Sequence, residues 1–230
     1  MNVAIVTVGD ELLAGETANT NATWLAEQLT ARDCRVERVT TVPDRVGDIA
    51  RVVNEYHAEY DAVVVTGGLG PTLDDVTVGG VAAAVGRPVE QHEAAFEWLT
   101  DHGGYHADDL DAGTAELPAG ARMLPNTVGV APGCVIESIY VLPGVPQEMK
   151  AMFEAVGDEF SGEAVHRRVV AVDEPESALL DRLAAVDDRF SVSVGSYPGE
   201  FVRVTFAGSD ADVVAAAADW FCERVAVVAE

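Results

Sequence analysis

The chain has 230 residues, enough to build a substantial core, and its 49% apolar content is that of a globular protein. Lys and Arg number 14 against 39 Asp and Glu, a formal charge of −25, so nothing neutralises a run of phosphates and nucleic acid is excluded as an expected partner. No apolar run reaches the roughly 20 residues of a membrane span, no basic leader precedes the first strand-like run, and Cys34, Cys134 and Cys222 lack metal-ligand or disulfide spacing, which predicts a cytoplasmic protein with free thiols and no membrane partner.

The near-continuous apolar run 3–8 predicts a parallel strand buried on both faces. After Asn19, Thr20 and Asn21, each able to cap a helix, Ala22, Leu25, Ala26 and Leu29 recur at helical spacing. Residues 35–42 read as a second strand, and Pro43-Asp44 opens a helix whose apolar stripe is Ile49, Val52, Val53 and Tyr56. The apolar strand 62–66 ends in Gly67-Gly68-Leu69-Gly70-Pro71-Thr72, and Val78, Val81, Ala82 and Val85 mark the next helix. This alternation predicts an α/β fold, a doubly wound and mostly parallel sheet covered on both faces.

Residues 90–116 read as helical and acidic, anchored by Phe96 and Leu99, with His92, His102 and His106 at the surface and not spaced as metal ligands. Strands 134–137 and 139–142 form a hairpin packed beside the main sheet, and a helix follows over 147–160. Composition shifts at Ser161-Gly162-Glu163. Strand 168–172, helix 176–186, strands 191–196 and 202–207 and helix 211–224 then form a small α+β unit, giving a main domain at 1–163 and a C-terminal subdomain at 164–230.

The segment TGGLGPTLDDVT, 66–77, lies where doubly wound sheets bind ligands, at the C-terminal end of a buried strand. Gly67, Gly68 and Gly70 let backbone approach a ligand, and with Thr72 and the free N–H groups of the next helix they suit phosphate. Adjacent Asp74 and Asp75 repel a bare anion, so they point to a bridging divalent cation or to a general base. The alternative is that Thr72 and the two aspartates cap the helix. Gly9-Asp10-Glu11 follows the first strand in the same way, which makes Gly9 a second phosphate contact and joins Asp10 to Asp74 and Asp75 as catalytic and metal-holding groups.

Asn19 and Asn21 offer amide contacts to a ring or ribose, or else cap the helix. Pro143, Gly144 and Pro146 make a third strand-to-helix turn, with Gly144 against the ligand. Lys150, the only lysine, is a phosphate contact or else pairs with Glu148 or Glu154. No serine sits in a nucleophile motif. Arginine supplies the remaining positive charge, a balance resembling proteins of salt-loving organisms, and molar salt, which shortens screening to about 3 Å, is expected to be needed by the fold.

Four segments, GDELLAGETANTN, TGGLGPTLDD, NTVGVAPG (126–133) and LPGVPQEMKAM (142–152), together resemble the N-terminal domain of CinA-type competence/damage-inducible proteins, a branch of the MoaB/Mog molybdopterin-binding superfamily. The resemblance covers about residues 1–160, and the small unit that follows is similar to the appendage of that domain. It implies a MoaB/Mog-like three-layer fold, often homo-oligomeric, that binds a small-molecule nucleotide or pterin through phosphate. CinA-like relatives hydrolyse ADP-ribose with a divalent metal and potassium, Mog-type relatives adenylylate molybdopterin, and a related domain of FAD synthases hydrolyses FAD. By position, Asp75 matches the aspartate of the superfamily's glycine-rich motif.

Two departures qualify the resemblance. The chain ends before the large domain that deamidates nicotinamide mononucleotide in CinA proteins, so that activity is not expected. Before Ala115-Glu116-Leu117-Pro118 it has Asp108, Asp109 and Asp111 in place of asparagine and basic residues. The leading expectation is metal-dependent hydrolysis of a phosphoanhydride such as ADP-ribose, with magnesium, manganese or cobalt. The alternatives are a molybdopterin-binding module without turnover and a molybdopterin adenylyltransferase.

Overall fold

A computed structural model describes residues 1–101 and 113–228. The first unit, Met1–Gly162, begins with β1 (Asn2–Val8), a short α1 (Asp10–Leu13), α2 (Thr20–Thr30), β2 (Arg35–Val42), α3 (Val46–Glu59), β3 (Ala62–Gly67) and α4 (Thr77–Ala84). It continues with β4 (Val89–Gln91), α5 (Glu93–Asp101), β5 (Glu116–Pro118), β6 (Arg122–Leu124), β7 (Gly133–Ile136), β8 (Ile139–Pro143) and α6 (Pro146–Val156).

The main sheet has the order β2-β1-β3-β8-β7-β6; the first four strands are parallel to one another and the last two pair antiparallel. Successive side chains of a strand point to opposite faces, and that alternation decides the layers. Ala4, Val6 and Val8 of β1 meet Ile49, Val52 and Val53 of α3, Val81 of α4 and Leu99 of α5. Val3 and Ile5 meet Leu25 and Leu29 of α2 and Met149, Met152 and Phe153 of α6. Each large side chain so buried stabilises the fold by roughly 1.5–3 kcal/mol before chain entropy is set against it. The result is a three-layer, doubly wound domain.

Four expectations change. The hairpin β7-β8 is part of the main sheet, because every residue of β8 is buried and its backbone pairs in parallel with β3, Val64 opposite Tyr140. Among the described residues of the acidic stretch only α5 is helical; Glu90 and Gln91 pair antiparallel with Leu117 and Glu116, partners that local periodicity cannot reveal. His92 is not a free surface residue: its Nδ1 accepts the Ala95 N–H at 3.4 Å, so its Nε2 donates to the Ala121 carbonyl at 3.1 Å. His102, His106, Asp108, Asp109 and Asp111 lie outside the described residues. Finally, α3 begins after Arg45 with no side-chain cap, which frees Asp44 for another contact.

The second unit, Glu163–Glu230, contains β9 (His166–Val172), α7 (Glu176–Arg189), β10 (Ser193–Tyr197), β11 (Val202–Gly208) and α8 (Ala211–Cys222). Its antiparallel sheet, β10-β11-β9, sends Val170, Val172, Val204 and Phe206 into a core with Leu179 and Val186 of α7 and Val214 and Phe221 of α8. All three cysteines are free. No helix among the described residues is long and apolar enough to cross a membrane.

Candidate functional site

Because β1, β3 and β8 are parallel, the turns that follow them emerge at one end of the sheet. Thr7 stands opposite Thr66, Thr66 opposite Leu142 and Gly67 opposite Pro143. Gly9, the segment 67–72 and Gly144 are thereby gathered at that end. Two of these turns touch: a Cβ placed on Gly144 would stand 3.4 Å from the carbonyl carbon of Gly67.

The two asparagines have different jobs. Asn19 caps α2, its Oδ1 accepting the Ala22 N–H at 3.1 Å, while its Nδ2 donates to the hydroxyls of Thr7 at 2.9 Å and Thr41 at 3.3 Å. Both ends of that amide serve the fold, so the expected ligand contact gives way to the capping alternative. Asn21 caps nothing; its Nδ2 donates to the Gly144 carbonyl at 2.7 Å and clamps α2 to the turn after β8. A reversed amide would set two acceptors together, so the orientation is determined by this bond. The opposite end, Oδ1, is buried without a partner. Asn21 is itself among the residues lining a crevice of about 80 Å³ whose walls include Val8, Thr66, Gly144 and Pro146. An unpaired buried acceptor costs about 1–3 kcal/mol, a cost that a ligand donor removes.

The glycine-rich turn already encloses an anion. A Cβ on Gly68 would fall 1.9 Å from Asp75 Oδ1, and one on Gly70 would fall 2.8 Å from Oδ2. The Thr72 N–H donates to that same Oδ2 at 3.1 Å. The missing side chains at Gly68 and Gly70 therefore admit the Asp75 carboxylate, where the sequence suggests phosphate. Helix α4 starts later, at Thr77, with Val76 before it and no side-chain cap, so Thr72, Asp74 and Asp75 are not its caps either. The Thr72 hydroxyl lies 2.5 Å from Asp74 Oδ1 and 2.6 Å from Asp75 Oδ2. That hydroxyl has one proton to give, and its bond holds the Asp74 carboxyl below the usual range.

Asp44 is the residue that sequence reasoning missed. Its Oδ2 accepts the Asp10 N–H at 2.8 Å. Burial pushes its carboxyl above the usual range against that bond, with help from the charges of Asp10, Glu11 and Asp74. Its signal was positional: Val8 pairs with Val42, so Asp10 and Asp44 each stand two residues past the same rung. Among the described residues, no group of three or more His, Cys, Asp or Glu side chains is arranged to hold a metal ion. The bond to Asp44 uses the Asp10 backbone N–H and leaves its carboxylate uncommitted, whereas the Asp74 and Asp75 carboxylates turn to Thr72.

Lys150 rests 5.5 Å from the centre of the Trp24 ring, where its contact is a cation–π one between α6 and α2. Glu148 is taken by Asn126, whose Nδ2 donates to its Oε2 at 2.7 Å and to the Ala131 carbonyl at 3.0 Å. The Asn126 Oδ1 accepts the N–H groups of Val128 and Gly129 at 3.2 and 2.7 Å. Buried Asn126 thus shapes the loop between β6 and β7 at the same end of the sheet, a pairing with Glu148 that 22 residues of sequence hide.

Comparison with known proteins adds to this geometry. The family described as "Probable molybdopterin binding domain" matches residues 4–162, and "FAD synthase, middle domain" matches residues 164–229. A protein of Archaeoglobus fulgidus is 37% identical over 225 residues, covering 97% of both chains. A CinA-like protein of Citrifermentans bemidjiense is 42% identical over 161 residues, 67% of this chain and 39% of that one. The crystal structure of CinA from Thermoplasma acidophilum, a protein described as of unknown function, is 35% identical with a TM-score of 0.64, covering 70% of this chain and 99% of that one.

Proposed function

The chain belongs to the family of probable molybdopterin-binding domains, as a CinA-type member with the MoaB/Mog-like fold, and from that premise we propose that the crevice beside Asn21 receives the pterin ring of molybdopterin. The observation that carries this reading is the buried, unpaired Asn21 Oδ1. A pterin ring brings N–H donors to such an acceptor, whereas an ionised phosphate brings acceptors only. Leu13 from α1 and Leu73, Val128 and Val145 from the loops around this end supply exposed apolar side chains, as a planar ring requires.

The phosphate tail belongs at the glycine-rich turn, where it takes the Thr72 N–H in exchange for the Asp75 carboxylate. Binding is the function this arrangement supports best, since both aspartates of the turn are engaged by Thr72. The test is calorimetric titration of the full chain with molybdopterin, with and without magnesium. Saturable binding is expected, weakened about tenfold in Asn21→Ala, in line with the loss of one buried hydrogen bond. No binding, or equal binding by the variant, would reject the reading. Metal-dependent release of AMP from ADP-ribose, lost in Asp75→Asn, would replace it with hydrolysis.

A further inference from the structure

In the second unit α7 and α8 cover one face of the three-stranded sheet and leave the other open. The strands HRRVVAV, SVGSY and VRVTFAG contain three arginines and no carboxylate, in a chain whose acids outnumber its bases 39 to 14. Every acid among the described residues of the unit lies outside these strands. With Val204 and Phe206 facing the helices, the pleat sends Arg203 and Thr205 to the open face, along with Arg167 and Val169 from β9 and Gly195 and Tyr197 from β10. Neither Arg167 nor Arg203 forms an ion pair with a described carboxylate.

The centre of this face is shaped around one ring. Tyr197 folds back along its own strand over Gly195: a Cβ there would stand 3.0 Å from both Cε2 and the hydroxyl oxygen of Tyr197, and 2.8 Å from Thr205 Oγ1. Only glycine lets the ring lie down on the strand. Tyr197 as a residue nevertheless stays 53% exposed and Val169 57% exposed. A shallow cavity of about 460 Å³ spreads over them, within the usual range for small-molecule sites. Arg203 is directly opposite Tyr197, and Arg167 is opposite Ala207, four residues or roughly 14 Å further along the sheet.

We propose that this open face is a nucleotide-binding site in which Tyr197 stacks the base and the guanidinium groups of Arg203 and Arg167 take the phosphates. A flat aromatic beside unpaired arginines on acid-free ground is complementary to a ligand with a π-face at one end and negative charge at the other. Single-stranded nucleic acid uses similar platforms, but a long polyanion needs cations beyond the platform, and there the chain is acidic. One nucleotide is the occupant that fits. The face lies in the second unit and the pterin crevice in the first.

The experiment is an NMR titration of the full chain with AMP, beside adenosine, ribose 5-phosphate and an oligoadenylate. Saturable shifts are expected at the amides of Val169, Gly195 and Thr205, with AMP bound more tightly than either of its halves. Tyr197→Ser and Arg203→Gln, both at exposed positions, should each weaken AMP binding about tenfold, the scale of a lost stacking or charge contact. Gly195→Val, which lifts the ring, should do the same. Absence of shifts on this face, or shifts confined to Gly67 and Gly144 in the first unit, would overturn the proposal. Far tighter binding of oligoadenylate than of AMP would overturn it in favour of a single-strand platform. None of these failures touches the Asn21→Ala test of pterin binding.

Discussion

The Asp44 carboxylate accepts the backbone N–H of Asp10 at 2.8 Å and so ties the turn after β1 to the turn after β2. Burial, with the nearby charges of Asp10, Glu11 and Asp74, raises its pKa above the usual 3.8. A carboxyl raised in this way binds its proton more tightly folded than unfolded. Its contribution to stability is therefore complete below pH 3.8 and is lost as pH rises through the folded value. At neutral pH ionised Asp44 is a net burden. Asp44→Asn keeps an acceptor for Asp10 and should melt at a higher temperature than the parent at pH 7, with the gap closing below pH 3.8. A variant that melts lower at pH 7 would show that the charge on the acceptor matters more than its desolvation.

Asp75 fills the space that Gly68 and Gly70 leave open, and its Oδ2 takes the Thr72 N–H. Removing the carboxylate should turn the glycine-rich turn into an anion site. Asp75→Ala is expected to bind inorganic phosphate more tightly than the parent by about tenfold or more, the scale of a charge-assisted hydrogen bond. Phosphate titration followed at the Thr72 amide reads this directly. Equal affinity in parent and variant would mean that the turn is not the phosphate subsite.

Buried Asn126 satisfies the Val128 and Gly129 N–H groups, the Ala131 carbonyl and Glu148 at once. Asn126→Ala should cost about 1–3 kcal/mol in denaturant unfolding, because partners on a half-buried loop are left unpaired. Hydrogen exchange at Val128 and Gly129 should accelerate in parallel. A loss of stability without faster exchange there would place the effect elsewhere.

The charge of −25 is spread over both units and repels itself at low ionic strength. Raising potassium chloride from dilute to molar should raise the melting temperature steeply as screening shortens from roughly 30 Å to 3 Å. Thermal scans across that range check this. A flat profile would remove the expected salt requirement.

The sequence alone determined the alternation of elements and the two faces of the central strands. Those are local matters: apolar residues at periods of two and 3.6 can be buried in one way only, and Ile49, Val52, Val53 and Tyr56 or Val3 and Val6 declare their faces wherever the element ends up. It also marked the glycine-rich turns as the candidate ligand site, and the parallel strands gather them at one end of the sheet. What each polar group of those turns does was decided by tertiary structure, because a hydrogen bond depends on which distant atom arrives within 3 Å. Asn21 and Gly144 are 123 residues apart and Asp10 and Asp44 are 34 apart; no spacing rule joins them. The Asp75 carboxylate could be placed against Gly68 or against a cation on composition alone, and only the folded turn put it against glycine. The parallel pairing of β8 with β3 and the ring of Tyr197 lying over Gly195 have the same origin: strand partners and side-chain directions are settled by packing, which local sequence does not encode.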